Sequence, residues 1–259
     1  MSGRSTRGGS FAAAPAAPAA GGAEVTRQDD LTAWWKCEDT TEEIGGYDFT
    51  LNNGAEIVSD GSHGASSGAI DCDGSDEYFI SSALDLDSAT TISTCVWLKS
   101  VGAYTYGGNP TYNTADYMGF GILTNSTSTF SDLTVGWGQH TASRVRFTYN
   151  IVGAGSAVQT TRFYYQDAGW DAQDWTLWTM TWTSGDKFRL YRNNEATPVG
   201  ESGDITGSLY DTTSLQFMFG KAPQYTWYTE CRFDDIRVYG VQLSTDNISD
   251  IYNSGDGDW

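Results

Sequence analysis

Tyrosine and tryptophan side chains are concentrated in segments predicted to be loops, where they could stack on sugar rings. The two best candidate loops span residues 104–112 and 225–228. Such rings combine an apolar face with a polar edge, which suits carbohydrate, but they also pack under loops and at subunit contacts. Both interpretations are open. The candidate glycan-binding residues are Tyr104, Tyr106, Tyr112, Trp137, Tyr225, Trp227 and Tyr228.

Carboxylates form a second group of residues that could take part in binding. Residues 71–77 contain Asp71, Asp73, Asp76 and Glu77 within one predicted turn. Calcium takes several oxygen ligands, often from a turn of this kind. The alternative is that these side chains shape the turn and form salt bridges with arginines such as those at positions 232 and 237.

Catalytic patterns are missing from the sequence. Glycosidases need two carboxylates that face each other across a cleft. The glucanase-type pattern E-x-D-x-x-E is absent, and the acidic pairs at 38–39 and 42–43 do not reproduce its spacing. His63 and His140 are isolated, without a serine or cysteine partner nearby. We therefore expect no enzyme activity, and a glycosidase is the weakest of the functions considered.

Alternating strands supply the elements that would position these residues. Residues 91–99 place Ile92, Thr94, Val96 and Leu98 on one face, which is the predicted core face. In residues 175–182 the corresponding face carries Trp178, Met180 and Trp182. About a dozen such segments with almost no helix predict an all-β fold: a two-sheet antiparallel β-sandwich jelly roll over residues 29–259.

The stretch from residue 233 to 248 predicts how this sandwich closes. Residues 233–239 alternate, with Ile236 and Val238 on one side and Asp235, Arg237 and Tyr239 on the other. This strand is expected to pair with the first strand, near residues 31–38. After it, Ser244 or Thr245 can cap one short C-terminal helix.

Charge and cysteine content narrow the function classes. The formal net charge of −19 disfavours nucleic acid and anionic membranes as partners. No apolar run is long enough to span a bilayer, so we expect no membrane insertion. The four cysteines contain no C-x-x-C pair, which excludes zinc ribbons and redox motifs. Cys37 and Cys231 lie on the predicted first and last strands, but disulfides and buried thiols remain equally open for these two and for Cys72 and Cys95.

Residues 1–28 are rich in glycine, alanine and proline and form a predicted extended N-terminal arm. The apolar core of a signal peptide is not recognisable in them. The arm is either a disordered leader or an element that holds the protein to neighbouring subunits. The residues expected to make such contacts are Arg4, Arg7, Phe11, Pro15 and Pro18.

Several stretches, taken in order, resemble the laminin G-like jelly rolls of the concanavalin A-like lectin/glucanase fold. The likeness covers about residues 30–253. Cys72 stands where the family usually has phenylalanine. The matching stretches are Ala33-Trp34-Trp35-Lys36, Thr50 to Ala55, Asp73-Gly74-Ser75-Asp76-Glu77-Tyr78, Thr94 to Lys99, Trp175 to Tyr191, and Phe233 to Tyr239 followed by Leu243-Ser244.

The resemblance implies a binding or scaffolding module. Many members of this fold bind glycans or calcium, and some occur in phage structural proteins. The resemblance also implies a calcium ligand at Asp234 and Asp235, and the alternative for these carboxylates is again turn chemistry and salt bridging with Arg232 or Arg237. The partner loop, usually Asp-Ser-Ser-Gly-Asn, is replaced here by residues 42–46, where Glu43 could substitute.

Two functions follow as expectations. The first is a non-enzymatic structural or decoration protein of a larger assembly, best matched by a phage particle. It would be displayed on the virion surface and joined to other subunits through its arm as an oligomer. The second is a secreted, extracellular carbohydrate-binding module that uses Ca²⁺. Both can hold together, since a displayed jelly roll can also contact surface glycans.

Overall fold

The computed structural model describes residues 28–62, 67–86, 88–101, 120–123, 133–141, 144–152, 158–166, 174–209, 216–221, 228 and 230–254. Between residues 120 and 166 the description concerns the backbone. Of the predicted arm, only Gln28 is described, in a short 3-10 helix at Gln28–Asp30. The arm residues Arg4, Arg7, Phe11, Pro15 and Pro18 lie outside the described residues.

The described strands form two eight-stranded sheets in which every pairing is antiparallel. The first sheet contains β1 (Leu31–Trp35), β3 (Glu56–Val58), β4 (Ala69–Asp73), β6 (Thr91–Ser100), β11 (Thr176–Thr183), β12 (Asp186–Arg192), β13 (Gly200–Ile205) and β16 (Glu230–Tyr239). Its order is β13-β12-β11-β6-β16-β4-β3, and β1 also pairs with β16.

The second sheet lies against the first. It contains β2 (Phe49–Asn52), β5 (Tyr78–Ser81), β7 (Phe120–Leu123), β8 (Leu133–Thr141), β9 (Arg144–Val152), β10 (Val158–Gln166), β14 (Ser208–Leu209) and β15 (Gln216–Phe219). Its order is β10-β9-β8-β7-β15-β5-β2, with β14 on β9. The predicted all-β sandwich of two antiparallel sheets is confirmed.

Aromatic side chains fill much of the core between the sheets. The Trp35 ring stacks on Phe49 with centroids 4.5 Å apart. The rings of Phe79 and Phe219, which come from adjacent strands of the second sheet, stack at 4.7 Å. Burial of each large apolar side chain contributes about 1.5–3 kcal/mol, so these rings hold the two layers together.

The two alternating segments behave as predicted. Ile92, Val96 and Leu98 of β6 lie in the core between the sheets, and so do Trp178 and Trp182 of β11. The opposite face of the first sheet is covered by the helix α1 (Thr245–Ser254).

Helix α1 is positioned by its cap and by an apolar contact. The Ser244 Oγ accepts a hydrogen bond from the Asn247 N–H at 3.2 Å, which confirms the predicted cap at Ser244. Ile248 and Ile251 are fully buried against the sheet. The Tyr252 ring stacks on Trp97 with centroids 5.4 Å apart. Trp97 therefore faces away from the inter-sheet core and is buried beneath the helix.

Strand β16 lies inside the first sheet and pairs with three other strands. One edge pairs with β6 along most of its length, and the other edge is divided between β4 and β1. The predicted closure of the last strand on the first is therefore confirmed. A register shift between Asp234 and Arg237 forms a bulge, in which Asp235 has a left-handed φ of 40°.

Candidate functional site

The turn between β4 and β5, residues 74–77, lies at one end of the sandwich, which we call the rim. The Asp73 N–H donates to Glu77 Oε2 at 2.6 Å, and Asp73 Oδ1 accepts from the Ser75 N–H at 2.7 Å. Gly74 has a φ of 76°, and a Cβ at this position would lie 2.9 Å from the Glu230 backbone nitrogen. Glycine is therefore needed to bring this turn against the start of β16.

Two tyrosines and a lysine form a half-buried group beside this turn, which we name the Tyr–Lys cluster: Tyr78, Lys221 and Tyr228. The Lys221 ammonium lies 4.8 Å from the Tyr78 ring centroid and 5.5 Å from that of Tyr228. Lys221 and Tyr228 are also joined by an antiparallel backbone bridge. One cation is thus held by the electron-rich faces of two rings.

Gly220 explains why the lysine reaches the first ring. Strand β15 pairs with β5 through Phe219 and Phe79, so the next residues run beside Tyr78. Gly220 has a φ of 81°, and a Cβ there would lie 2.7 Å from Cys72 Sγ. Because glycine has no side chain, the backbone can pass close to β4 at this position and place Lys221 against Tyr78.

The electrostatics of this rim are dominated by carboxylates. Burial raises the pKa of Glu77; the hydrogen bond from the Asp73 N–H opposes this rise, and the nearby charges of Asp73, Asp71 and Asp76 add to it. On the other side of β4, Arg232 donates to Asp71 at 2.7 Å and also pairs with Asp60. The alternative interpretation of residues 71–77 is that they form salt bridges with arginines. Asp71 forms such a salt bridge with Arg232.

We expect Glu77→Gln to raise the melting temperature at pH 7 by about 1–3 °C. A raised pKa in the folded state means that the ionised carboxylate destabilises the fold as pH rises through that pKa. Glutamine removes this charge, and its oxygen can still accept the Asp73 N–H. The gain should shrink on acidification and vanish below the ordinary pKa of glutamate, as thermal unfolding across pH would show.

Asp85→Asn is the matched control, because Asp85 is an exposed carboxylate outside the acidic turn. It should leave the melting temperature nearly unchanged at every pH. A Glu77→Gln effect that grew toward acid would contradict the assigned repulsion.

The predicted glycan-binding residues are only partly described. Tyr228 belongs to the Tyr–Lys cluster. Trp137 lies in β8, in register with Phe120 and Phe147 of the neighbouring strands. The others, Tyr104, Tyr106, Tyr112, Tyr225 and Trp227, lie outside the described residues.

Tyr78 and Lys221 are not among the candidates predicted from the sequence. Tyr78 ends the acidic turn and begins an apolar strand, which makes it resemble a core residue. Lys221 follows Phe217 and Phe219 along β15, both of which are buried. Only the pairing of β15 with β5 brings the lysine and the ring together.

The loop between β1 and β2 buries Glu42, whereas Glu43 is the glutamate predicted to bind calcium. Glu42 is buried, and its carboxylate accepts the N–H groups of Trp34 at 2.6 Å, Ile44 at 2.9 Å and Gly46 at 2.7 Å. Glu43 instead lies at the surface, 3.6 Å from the Lys36 ammonium. The backbone N–H groups of this loop are therefore directed at the Glu42 carboxylate.

The aspartates predicted as calcium ligands are engaged by donors. Asp235 accepts from Trp34 Nε1 at 2.7 Å and from Arg237 Nε and Nη2 at 2.7 and 2.8 Å. Asp234 accepts from the backbone N–H and the hydroxyl of Ser62 at 2.7 and 2.8 Å. Arg237 is thus the partner that the alternative interpretation of these carboxylates proposed.

Over the described parts of the chain, no group of three or more His, Cys, Asp or Glu side chains is arranged to hold a metal ion. Calcium binding remains a prediction. Within the same residues, no helix is long and apolar enough to cross a membrane.

The fold is similar to those of toxin binding domains. The binding domain of botulinum neurotoxin serotype G aligns with a TM-score of 0.62 and 12% identity over 86% of this chain and 50% of that one. The binding domain of Paraclostridial Mosquitocidal Protein 1 gives 0.61 and 12%, over 87% and 52% respectively. For the botulinum serotype D binding domain the values are 0.56 and 11%, over 87% and 52%. The chain shares a β-sandwich fold with these domains.

This likeness concerns architecture. The chain spans about half the length of each of those structures. No protein-family model matches the sequence, and no curated protein matches it. The narrower resemblance to laminin G-like jelly rolls stays a prediction.

Proposed function

We propose that this chain is a non-enzymatic binding module whose ligand is a carbohydrate held at the Tyr–Lys cluster. The observation that carries the proposal is the position of Lys221 between the half-buried rings of Tyr78 and Tyr228. Because Lys221 lies over one face of each ring, a sugar would stack its C–H face on the opposite face of a tyrosine, whose hydroxyl would form hydrogen bonds.

Charged groups around the rings suit sugar hydroxyls. Lys221 supplies donors, and the exposed Asp73 and half-buried Glu77 on the adjacent turn supply acceptors. A few placed polar groups beside apolar faces are the usual composition of a small-molecule site. The toxin domains of similar fold are themselves named as binding domains, which supports a binding role in general.

The test is a glycan array probed with the full chain, once with added calcium and once with a chelator. We expect a subset of glycans to bind, and Tyr228→Ala to weaken the best of them from a few-fold to about tenfold. Titration calorimetry with that glycan measures the change. The two array conditions also test whether binding depends on calcium.

Two control variants separate binding from folding. Tyr228→Phe keeps the ring and should bind nearly as well as the unchanged protein. Tyr252→Ala removes a half-buried ring from helix α1 and should leave binding intact. An array without any bound glycan in either condition, or unchanged affinity for Tyr228→Ala, would refute the proposal.

The decoration role on a virion surface, with subunit contacts through the arm, remains a prediction from the sequence. The arm on which it depends lies outside the described residues except for Gln28.

A further inference from the structure

Two of the four cysteines face each other across a pair of strands. In the antiparallel ladder between β4 and β16, Cys72 is the direct partner of Cys231. Directly opposed residues in such a ladder have Cα atoms about 4.5–5.5 Å apart. A disulfide requires a Cα separation of about 4.4–6.8 Å, so the backbone is already at the correct spacing.

The orientation of these two side chains also fits. Opposed residues of an antiparallel pair project to the same side of the sheet. Both cysteines are fully buried in the core between the two sheets. A Cβ at Gly220 would lie 2.7 Å from Cys72 Sγ, so the backbone that follows β15 of the second sheet packs closely against the Cys72 side chain.

The remaining two cysteines lie elsewhere. Cys95 belongs to the cluster beneath helix α1, on the opposite face of the first sheet, where its sulfur accepts a hydrogen bond from Thr179 at 3.5 Å. Cys37 follows β1, which pairs with the other half of β16 through Trp35 and Ile236. Although the first and last strands are neighbours, Cys37 is therefore not opposite Cys231.

We propose that Cys72 and Cys231 form a disulfide when the chain folds in contact with a low-molecular-weight disulfide, while Cys37 and Cys95 remain thiols. The thiolate of one cysteine attacks the small disulfide and releases one small thiol. The second cysteine then attacks the mixed disulfide and releases the other small thiol. The protein loses two S–H bonds and gains one S–S bond, and the small disulfide is reduced to two thiols.

The order of events follows from burial. Burial, and then the adjacent Cys231, raises the pKa of the Cys72 thiol far above its ordinary value. A folded, reduced protein therefore presents almost no thiolate, and the core excludes the oxidant. The exchange belongs to the stage at which β4 and β16 first meet, before the second sheet covers them.

The bond would lie one ladder position from the Asp73–Glu230 pair and close to Gly220, the residue before Lys221 of the Tyr–Lys cluster. It would join strands that are separated by most of the chain, which is the case in which a cross-link most restricts the unfolded state. This inference does not depend on the nature of the ligand.

The experiment is to refold the full chain from denaturant, either with oxidised glutathione or with a reductant, and then to block thiols by alkylation. Peptide mapping by mass spectrometry should identify one linked peptide pair, containing Cys72 and Cys231, only in the oxidised sample. The oxidised protein should melt about 10 °C higher than the reduced protein. Four alkylated cysteines after oxidative refolding, or a link through Cys37 or Cys95, would overturn the proposal.

Variants provide the matched comparison. The pair Cys37→Ala and Cys95→Ala should retain the linked peptide. The pair Cys72→Ala and Cys231→Ala should lose both the link and the difference in melting temperature. If either pair of substitutions prevents folding, the peptide map of the unchanged chain still decides the question.

Discussion

Arg237→Met is expected to lower the free energy of unfolding by about 3–5 kcal/mol. Arg237 and Asp235 are each only 1% exposed, and two hydrogen bonds join them inside the first sheet. Methionine has a comparable volume, so the loss would come mainly from charge. It would leave the Asp235 carboxylate buried without its cation, and desolvation of an uncompensated charge is among the most destabilising single changes.

A double variant separates the charge effect from the loss of packing. Asp235 has a left-handed backbone, which asparagine tolerates better than most residues, so Asp235→Asn is the appropriate neutral substitution. Combined with Arg237→Met, it removes both charges. We expect the double variant to be more stable than Arg237→Met alone, as a double-mutant cycle in urea would show.

The control for this prediction is a surface pair of the same chemistry. Arg189 donates two hydrogen bonds to Asp186, at 2.6 and 2.8 Å, but both side chains are partly exposed. Arg189→Met should cost less than about 1 kcal/mol. Equal costs for the buried and exposed arginines would contradict the role assigned to burial.

Glu42→Gln carries the second large expected effect, a loss of about 2–3 kcal/mol. Five backbone N–H groups donate to the Glu42 carboxylate: those of Trp34, Ile44, Gly45, Gly46 and Tyr47. A glutamine of the same shape replaces one acceptor oxygen with an NH₂ group. Whichever way the amide turns, backbone donors then face another donor.

Glu43→Gln is the neighbouring control, because the Glu43 side chain is 38% exposed and pairs with Lys36 at the surface. It should change the free energy of unfolding in urea by less than about 1 kcal/mol. If Glu43→Gln instead costs as much as Glu42→Gln, or removes a calcium-dependent gain in stability, the loop has the metal-binding role predicted from the family resemblance.

The parts of the fold that depend on local alternation could be predicted from the sequence. The core faces of β6 and β11 follow from the two-residue period, and the capped helix follows from a serine before a short amphipathic segment. Pairing of the last strand with the first also follows, because an open sheet must cover both edges of a buried central strand.

The bulge in β16 could not be predicted in the same way. Simple alternation places Asp235 and Arg237 on the face away from the inter-sheet core, as if that face were open. In the structure both are buried beside Trp34, which belongs to the cluster beneath helix α1, and an extra residue between Asp234 and Arg237 shifts the register of β16 against β6. A one-residue shift changes which side chains meet, and no local pattern records it.

The candidate site shows the same limit. Tyr228 could be selected from its type and its loop, but Tyr78 and Lys221 become neighbours only through the pairing of β15 with β5. Likewise, nothing in the residue types distinguishes Glu42 from Glu43. Which of the two turns inward depends on the path of the backbone that surrounds its carboxylate.

The position of β16 also has a consequence for synthesis on the ribosome. Strands β1, β4 and β6 all pair with β16, yet β16 is the last of the described strands along the chain. The first sheet therefore cannot close until translation has passed residue 239. Until then the emerging polypeptide leaves edges of β1, β4 and β6 unpaired, and unpaired strand edges are the sites at which incomplete β-sheets associate wrongly. Closure of the first sheet is thus a late step governed by contacts between distant parts of the chain.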